Sequence, residues 1–244
     1  MVPQSGSIKF ERMKAKSLNN NPPVWERKYE QSLKVCFLNI HSLRDKIDDI
    51  RADPILLFSD ILVFGETWLE ENTKDNDQSI QIESYELNLN SFGRGKGLAV
   101  YYKEHLVEAI HNFRDIDLQI TKLDLEELSI VCIYRSQNDE NLAKLLQDII
   151  PLNGCCLVIG DFNLCSVDNP NNVAFNILRA MDFIPLVSEA THLGGGHIDQ
   201  AWFRGPTGNQ NVQMYSPYYT ATDHDALRFT HYEPKTHEGN YCKI

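Results

Sequence analysis

The sequence predicts an α/β fold, and three observations point to it. Short runs of β-forming residues recur between residues 33 and 231, helical periodicity separates several of them, and the runs end repeatedly in a polar residue. With 244 residues the chain can bury a real core, as one large domain or two small ones.

In chain order, Leu33-Lys34-Val35-Cys36-Phe37-Leu38 reads as a strand ending in Asn39. Ser42 then opens a helix to about Phe58, with Asp45 three residues on as a loose capping box, and Pro54 kinks or splits it. A second strand, Asp60 to Phe64, ends at Gly65-Glu66-Thr67-Trp68, and Trp68 to Ser84 reads as a polar, acidic loop. Strands near 85–90 and 97–103 flank Ser91-Phe92-Gly93-Arg94-Gly95-Lys96-Gly97. Those glycines suit a phosphate cradle, but no helix follows, so a hairpin turn is the preferred reading, with Arg94 and Lys96 at its tip as contacts for a nucleic-acid backbone. Strands near 118–125 and 127–134 follow, the second finishing at Tyr134 with Arg135 adjacent. A helix over about 139–149 carries Leu142, Leu145, Leu146 and Ile149 on one face and is closed by Pro151. After it come the strand Leu157-Val158-Ile159-Gly160-Asp161, a helix near 171–182, a strand from His197 to Phe203 behind Gly194-Gly195-Gly196, and a last strand near 225–231.

The ends read differently. Residues 1–32 contain the helix-breaking Asn19-Asn20-Asn21-Pro22-Pro23 and more cations than acids, which predicts a flexible leader or linker; 232–244 reads as a loose tail. The ordered domain is expected over 33–231.

A net charge of −11 argues against a protein whose affinity rests on general attraction to phosphate. It leaves room for a nuclease, because a bound divalent cation supplies local positive charge. No apolar run approaches the ~20 residues that cross a bilayer, and no secretory signal is evident, so a soluble intracellular protein without a membrane partner is expected. The six cysteines show no metal-knuckle spacing and read as reduced thiols, mostly core filler.

The segment Gly160-Asp161-Phe162-Asn163 presents a carboxylate and a carboxamide where a strand should stop. Taken alone it is equally an Asx turn. Strand ends elsewhere, however, deliver Asn39, Glu66, Tyr134 and the Asp223-His224 pair, with Asp199 on a strand just before them. Carboxylates and amide oxygens are hard ligands suited to Mg²⁺ or Mn²⁺, and no Cys or His cluster favours zinc. A hard metal beside one imidazole suggests phosphoryl chemistry.

Six motifs, in order, resemble those of the endonuclease/exonuclease/phosphatase superfamily: Leu38-Asn39-Ile40, Gly65-Glu66-Thr67-Trp68-Leu69, Ile133-Tyr134-Arg135-Ser136, Gly160-Asp161-Phe162-Asn163, Ile198-Asp199 and Thr222-Asp223-His224. The Glu-Thr-Trp-Leu form, and the glycine-rich turn followed by Leu98-Ala99-Val100-Tyr101, look most like the apurinic-site-endonuclease-type nicking domains of non-LTR retrotransposons (LINE type) and some helitrons. The resemblance implies a four-layer α/β sandwich, two mixed β-sheets face to face flanked by helices. It implies that Glu66, Asn39 and Asp223 surround a Mg²⁺ (or Mn²⁺) ion. His224, oriented by Asp199, would contact the scissile phosphate, Asp161 with Asn163 would orient or deprotonate water, and Tyr134 would bind phosphate. Arg135, Asn138 and Thr191 join Arg94 and Lys96 as substrate contacts. His41 departs from the small polar or acidic residue of many relatives and is expected at the surface or behind the ligands. Gln137 and Asn138 compete for one motif place, Gln200 replaces a histidine, and Asp225 reads as a solvated acid. Thr191 to His197 occupies the place of a DNA-probing hairpin but is short and glycine-rich, which predicts weak sequence preference.

The expected activity is Mg²⁺-dependent nicking of double-stranded DNA, leaving a 3′-hydroxyl and a 5′-phosphate, in the nucleus, with other domains of a mobile-element polyprotein as partners. Two alternatives stand beside it: a phosphodiesterase or phosphatase acting on RNA, a phospholipid head group or an inositol phosphate, and a catalytically silent nucleic-acid-binding module.

Overall fold

A computed structural model describes residues 32–136, 141–206, 210–217 and 222–232. The sequence-assigned leader to residue 31, the tail from 233, and Gln137 and Asn138 lie outside the described residues.

Two six-stranded mixed sheets pack face to face. The first has the order β11-β12-β1-β2-β4-β3, with β1 (Ser32–Asn39), β2 (Ile61–Gly65), β3 (Glu86–Asn90), β4 (Leu98–Tyr102), β11 (Gln210–Tyr215) and β12 (Ala226–Tyr232). The second has the order β5-β6-β7-β8-β10-β9, with β5 (Ala109–Asp115), β6 (Leu118–Asp124), β7 (Leu128–Arg135), β8 (Cys155–Asp161), β9 (Ile184–Pro185) and β10 (Asp199–Arg204). Each sheet has one parallel pair, β1 with β2 and β7 with β8, and antiparallel pairing elsewhere. A parallel pair needs a crossover. Helices α1 (Leu43–Ala52) and α2 (Pro54–Leu57) make the first, and α3 (Asn141–Ile149) lies in the second; α4 (Val173–Ala180) follows β8.

Strand alternation builds the layers. Val35 and Phe37 of β1 point inward with Val63, Val100, Ile130, Ile159, Phe203 and Phe229 to form the core between the sheets. Cys36 and Leu38 point outward, where Leu43, Ile47 and Ile50 of α1 and Leu56 of α2 cover them. The outer face of the second sheet is closed likewise by Leu142, Leu146 and Ile149 of α3 and Phe175 and Leu178 of α4. This is the expected four-layer sandwich, and full burial of such side chains contributes roughly 1.5–3 kcal/mol each.

The helix expected from Ser42 to Phe58 is split at Pro54, as the sequence indicated, because Asp53 ends α1 and its carboxylate accepts from the Ile55 and Leu56 amides to begin α2. The capping box does not form. Ser42 makes no side-chain bond to the α1 backbone and instead donates its hydroxyl to Asp45 Oδ2 at 2.7 Å. The glycine-rich turn is a hairpin linking the antiparallel strands β3 and β4, as expected.

Candidate active site

The carboxyl ends of both parallel pairs open on the same edge of the sandwich, where an α/β sheet assembles a site. Asn39 ends β1, Glu66 follows β2, Tyr134 lies near the end of β7 and Asp161 ends β8. Register aligns them: Asn39 pairs with Gly65, Tyr134 with Asp161, and Asp161 with Asp199. The loops beyond β1 and β2 stay tied together, with the Ser42 amide donating to Glu66 O at 2.9 Å and the Leu43 amide to Thr67 O at 2.9 Å.

Gly160 makes the approach of β7 to β8 possible. A Cβ there would lie 1.9 Å from the Ile133 carbonyl oxygen, so only glycine lets Asp161 sit against Tyr134. Backbone strain collects at the same edge. Among the described residues, His41, Ser42, Glu66, Trp68 and Asn163 all hold positive φ between 45° and 83° without being glycine. Such conformations cost about 1–3 kcal/mol each and persist where the surroundings enforce them, commonly at functional sites.

Side-chain hydrogen bonds join the sheets at this edge. Asn39 Nδ2 donates to Asp161 Oδ2 at 2.8 Å and also to Glu66 Oε1 at 3.1 Å. Tyr134 donates its hydroxyl to Glu66 Oε1 at 3.2 Å and to Gly95 O at 2.7 Å. His224 Nδ1 lies 2.8 Å from Asp199 Oδ2, with both side chains buried. Asp161 Oδ1 also accepts the Asn163 amide at 2.7 Å, and the Asn163 carboxamide donates to Arg135 O at 2.6 Å.

Electrostatics at this edge are unusual. Burial, then the negative charge of Asp199, pushes the Asp161 carboxyl well above the ordinary range. Burial alone would lower His224, but its hydrogen bond to Asp199 and the charges of Asp199, Asp161 and Asp223 raise it to about 9. Burial, followed by the charges of Glu66 and Asp161, keeps Tyr134 a protonated donor. Ligand atoms of Asp161, Asp199 and His224 lie within 4.8 Å of one another, and so do those of His192, Asp223 and His224. Two features fit a divalent cation here. The donors are mainly hard oxygens, and the side-chain oxygen Oδ1 of the fully buried Asn39, beside Glu66, has no hydrogen-bond partner among the described residues.

The structure thus brings together Asn39, Glu66, Tyr134, Asp161, Asn163, Asp199, Asp223 and His224. Other sequence assignments fare differently. Arg135 is buried and donates to Phe162 O at 2.7 Å, so it supports the loop after β8 and does not present its guanidinium to a ligand. Thr191 is buried too, its hydroxyl accepting the Asp199 amide at 3.1 Å. Lys96 pairs with Asp117 at 2.9 Å and donates to Ile116 O. Arg94 is exposed and stacks 5.3 Å from the Trp68 ring, on the hairpin that Tyr134 anchors. Asp225 is not solvated but buried, accepting from the Ser216 hydroxyl. Residues 191–196 form a closed turn, with the Thr191 and His192 amides both donating to Gly196 O.

Sequence reasoning underrated two histidines. His41 Nε2 is 2.8 Å from Glu66 Oε2 and its Nδ1 is 3.5 Å from Asp223 Oδ1. His192 Nε2 is 3.1 Å from Asp223 Oδ2, and its ring centroid lies 4.9 Å from that of His224. The expectation of no histidine cluster is therefore corrected, since three imidazoles gather around one carboxylate. His41 stands two residues after Asn39 at the same strand end, which was a usable signal; His192 offered none beyond its place before three glycines.

The family model described as "Endonuclease/Exonuclease/phosphatase family" matches residues 36–224. No curated protein sequence matches the chain. Among solved structures, an AP endonuclease from Archaeoglobus fulgidus aligns with a TM-score of 0.63 at 14% identity, over 83% of this chain and 100% of that one. The 3′-5′ exonuclease NExo from Neisseria meningitidis aligns with a TM-score of 0.65 at 13% identity, over 83% and 100%. The endonuclease domain of TRAS1, a telomere-specific non-LTR retrotransposon, aligns with a TM-score of 0.59 at 11% identity, over 83% and 99%. At these identities the likeness is one of fold.

Proposed function

Because the chain belongs to the endonuclease/exonuclease/phosphatase family, whose enzymes are in general hydrolytic nucleases and phosphatases, we propose that it is a metal-dependent endonuclease that nicks one strand of duplex DNA. The products would be a 3′-hydroxyl and a 5′-phosphate. The observation that carries this reading is the set of three hydrogen bonds between the sheets, Asn39 to Asp161, Tyr134 to Glu66 and His224 to Asp199, which gathers acid, base and metal donors at one edge.

Glu66 and the free Oδ1 of Asn39 would hold the divalent cation, Mg²⁺ or Mn²⁺. When bound, it would neutralise charge on the phosphate oxygens and on the leaving alkoxide. Asp161 is placed to orient the attacking water, and once ionised its raised carboxyl is the stronger base to take the proton; Asn39 and Asn163 fix its orientation. His224 is an imidazolium at neutral pH and donates a hydrogen bond to a phosphate oxygen as charge builds there, while Asp199 holds its ring. The protonated Tyr134 hydroxyl is a further donor, and exposed Arg94 is the contact left for the DNA backbone once Lys96 is paired with Asp117.

The likeness to a retrotransposon endonuclease domain supports service in mobile-element integration within the nucleus, where other domains of a polyprotein would use the freed 3′-hydroxyl. The test is relaxation of supercoiled plasmid in Mg²⁺ by the parent, Glu66→Ala and His224→Ala. Relaxation by the parent, reduced at least about 100-fold in both variants, is expected. Hydrolysis of small phosphate esters without relaxation, or retention of DNA without cleavage, would overturn the reading.

A further inference from the structure

The nitrogen atoms around Asp223 form a chain that ends at Glu66. The Gly194 amide donates to His192 Nδ1 at 2.9 Å, so that nitrogen is an acceptor and the proton of the neutral ring sits on Nε2. His192 Nε2–H therefore points at Asp223 Oδ2, 3.1 Å away. The other oxygen, Asp223 Oδ1, faces His41 Nδ1 at 3.5 Å. His41 Nε2 lies 2.8 Å from Glu66 Oε2, a distance at which a proton is shared between them, and a cation entering there would release that proton to solvent.

A metal-bound histidine usually turns its second nitrogen to a carboxylate or carbonyl, and Asp223 stands in that place behind His41. Two ligands at ~2.1 Å from one octahedral ion lie about 3 Å apart. The spacing of His41 Nε2 and Glu66 Oε2 meets that requirement with little movement. Asn39, fully buried, donates its amide to the same Glu66 and leaves Oδ1 without a partner.

We propose that His41 is a ligand of the metal held at Glu66, with Asp223 and His192 as the positioning residues behind it, so that the centre prefers Mn²⁺ or a like transition metal over Mg²⁺. This deepens the reading of the site given above and rests on it. Imidazole nitrogen binds first-row transition ions far better than it binds Mg²⁺, which favours oxygen and water. His41 has a left-handed backbone, with φ of 50°, and its ring lies between Glu66 and Asp223. Aspartate tolerates that conformation, so His41→Asp exchanges nitrogen for oxygen without forcing the backbone.

The experiment is pulsed electron paramagnetic resonance of Mn²⁺ added to the full chain, with calorimetric affinities for Mn²⁺ and Mg²⁺. The parent should show nitrogen hyperfine coupling from a bound imidazole, and the coupling should vanish in His41→Asp while Mn²⁺ still binds. His224→Gln should keep it. The preference for Mn²⁺ over Mg²⁺ should fall by about tenfold in His41→Asp. Mn²⁺ bound by the parent and lost in Glu66→Ala, but with no nitrogen coupling, would overturn the role of His41 and leave the metal centre standing. Coupling that survives in His41→Asp would overturn it as well, and failure of the parent to bind Mn²⁺ would remove both.

Discussion

Replacing Asp199 with asparagine removes a charge from the centre of the site while keeping the side chain's size. In the parent, His224 Nδ1 is 2.8 Å from Asp199 Oδ2, and the pair raises the ring to about 9 against an ordinary 6.5. That difference corresponds to about 3 kcal/mol. Its sign follows from the direction of the shift. Since the folded ring holds its proton more tightly than the unfolded one, the stabilisation is fully present below 6.5 and is lost as pH rises through about 9. In Asp199→Asn, burial acts against only the charges of Asp161 and Asp223, so the ring should titrate clearly below its position in the parent. NMR titration of the metal-free protein measures this directly, and urea unfolding at pH 6 and pH 9.5 measures its energetic consequence. The parent should lose up to about 3 kcal/mol between those pH values through this ring, and the variant much less. A His224 ring that titrates near 9 in Asp199→Asn, or near 6.5 in the parent, would refute the reasoning.

Other perturbations separate backbone from side-chain causes. Gly160→Ala places a Cβ 1.9 Å from Ile133 O, so β7 and β8 must part; urea unfolding should show a loss of about 3 kcal/mol or more. Asp53→Ala should cost about 1 kcal/mol because two amides of α2 lose their acceptor, whereas Ser42→Ala should cost clearly less because its hydroxyl caps no backbone group. Equal losses from the two caps, measured by thermal or urea unfolding, would contradict that contrast.

Much of this architecture was legible because central strands are buried on both faces and read as apolar runs. β1, β2, β7 and β8 all stood out in this way. The elements that escaped notice lie at the margins. β5 and β11 are edge strands, half solvated along their length, so Ala109–Asp115 and Gln210–Tyr215 carry little apolar signal; β9 has two residues. The site was legible for a related reason, since polar residues at strand ends are conspicuous against apolar runs. What could not be read was the direction in which side chains turn once the chain leaves a strand. Arg135 and Thr191 stand beside the chemistry in sequence, yet each spends its polar atoms on the loops that frame it. His41 and His192 lie 151 positions apart, and only the turn at Gly196 and the positive φ of His41 bring both to Asp223.

A metal ion held by Glu66 and Asn39 of the first sheet should lie beside Asp161 of the second. Paramagnetic broadening by one equivalent of Mn²⁺ tests it most directly, because the effect falls steeply with distance. Resonances of Asn39 and Glu66 on the first sheet and of Asp161 on the second should broaden together, and none of them should in Glu66→Ala. Broadening confined to one sheet, or centred away from these three residues, would contradict the account.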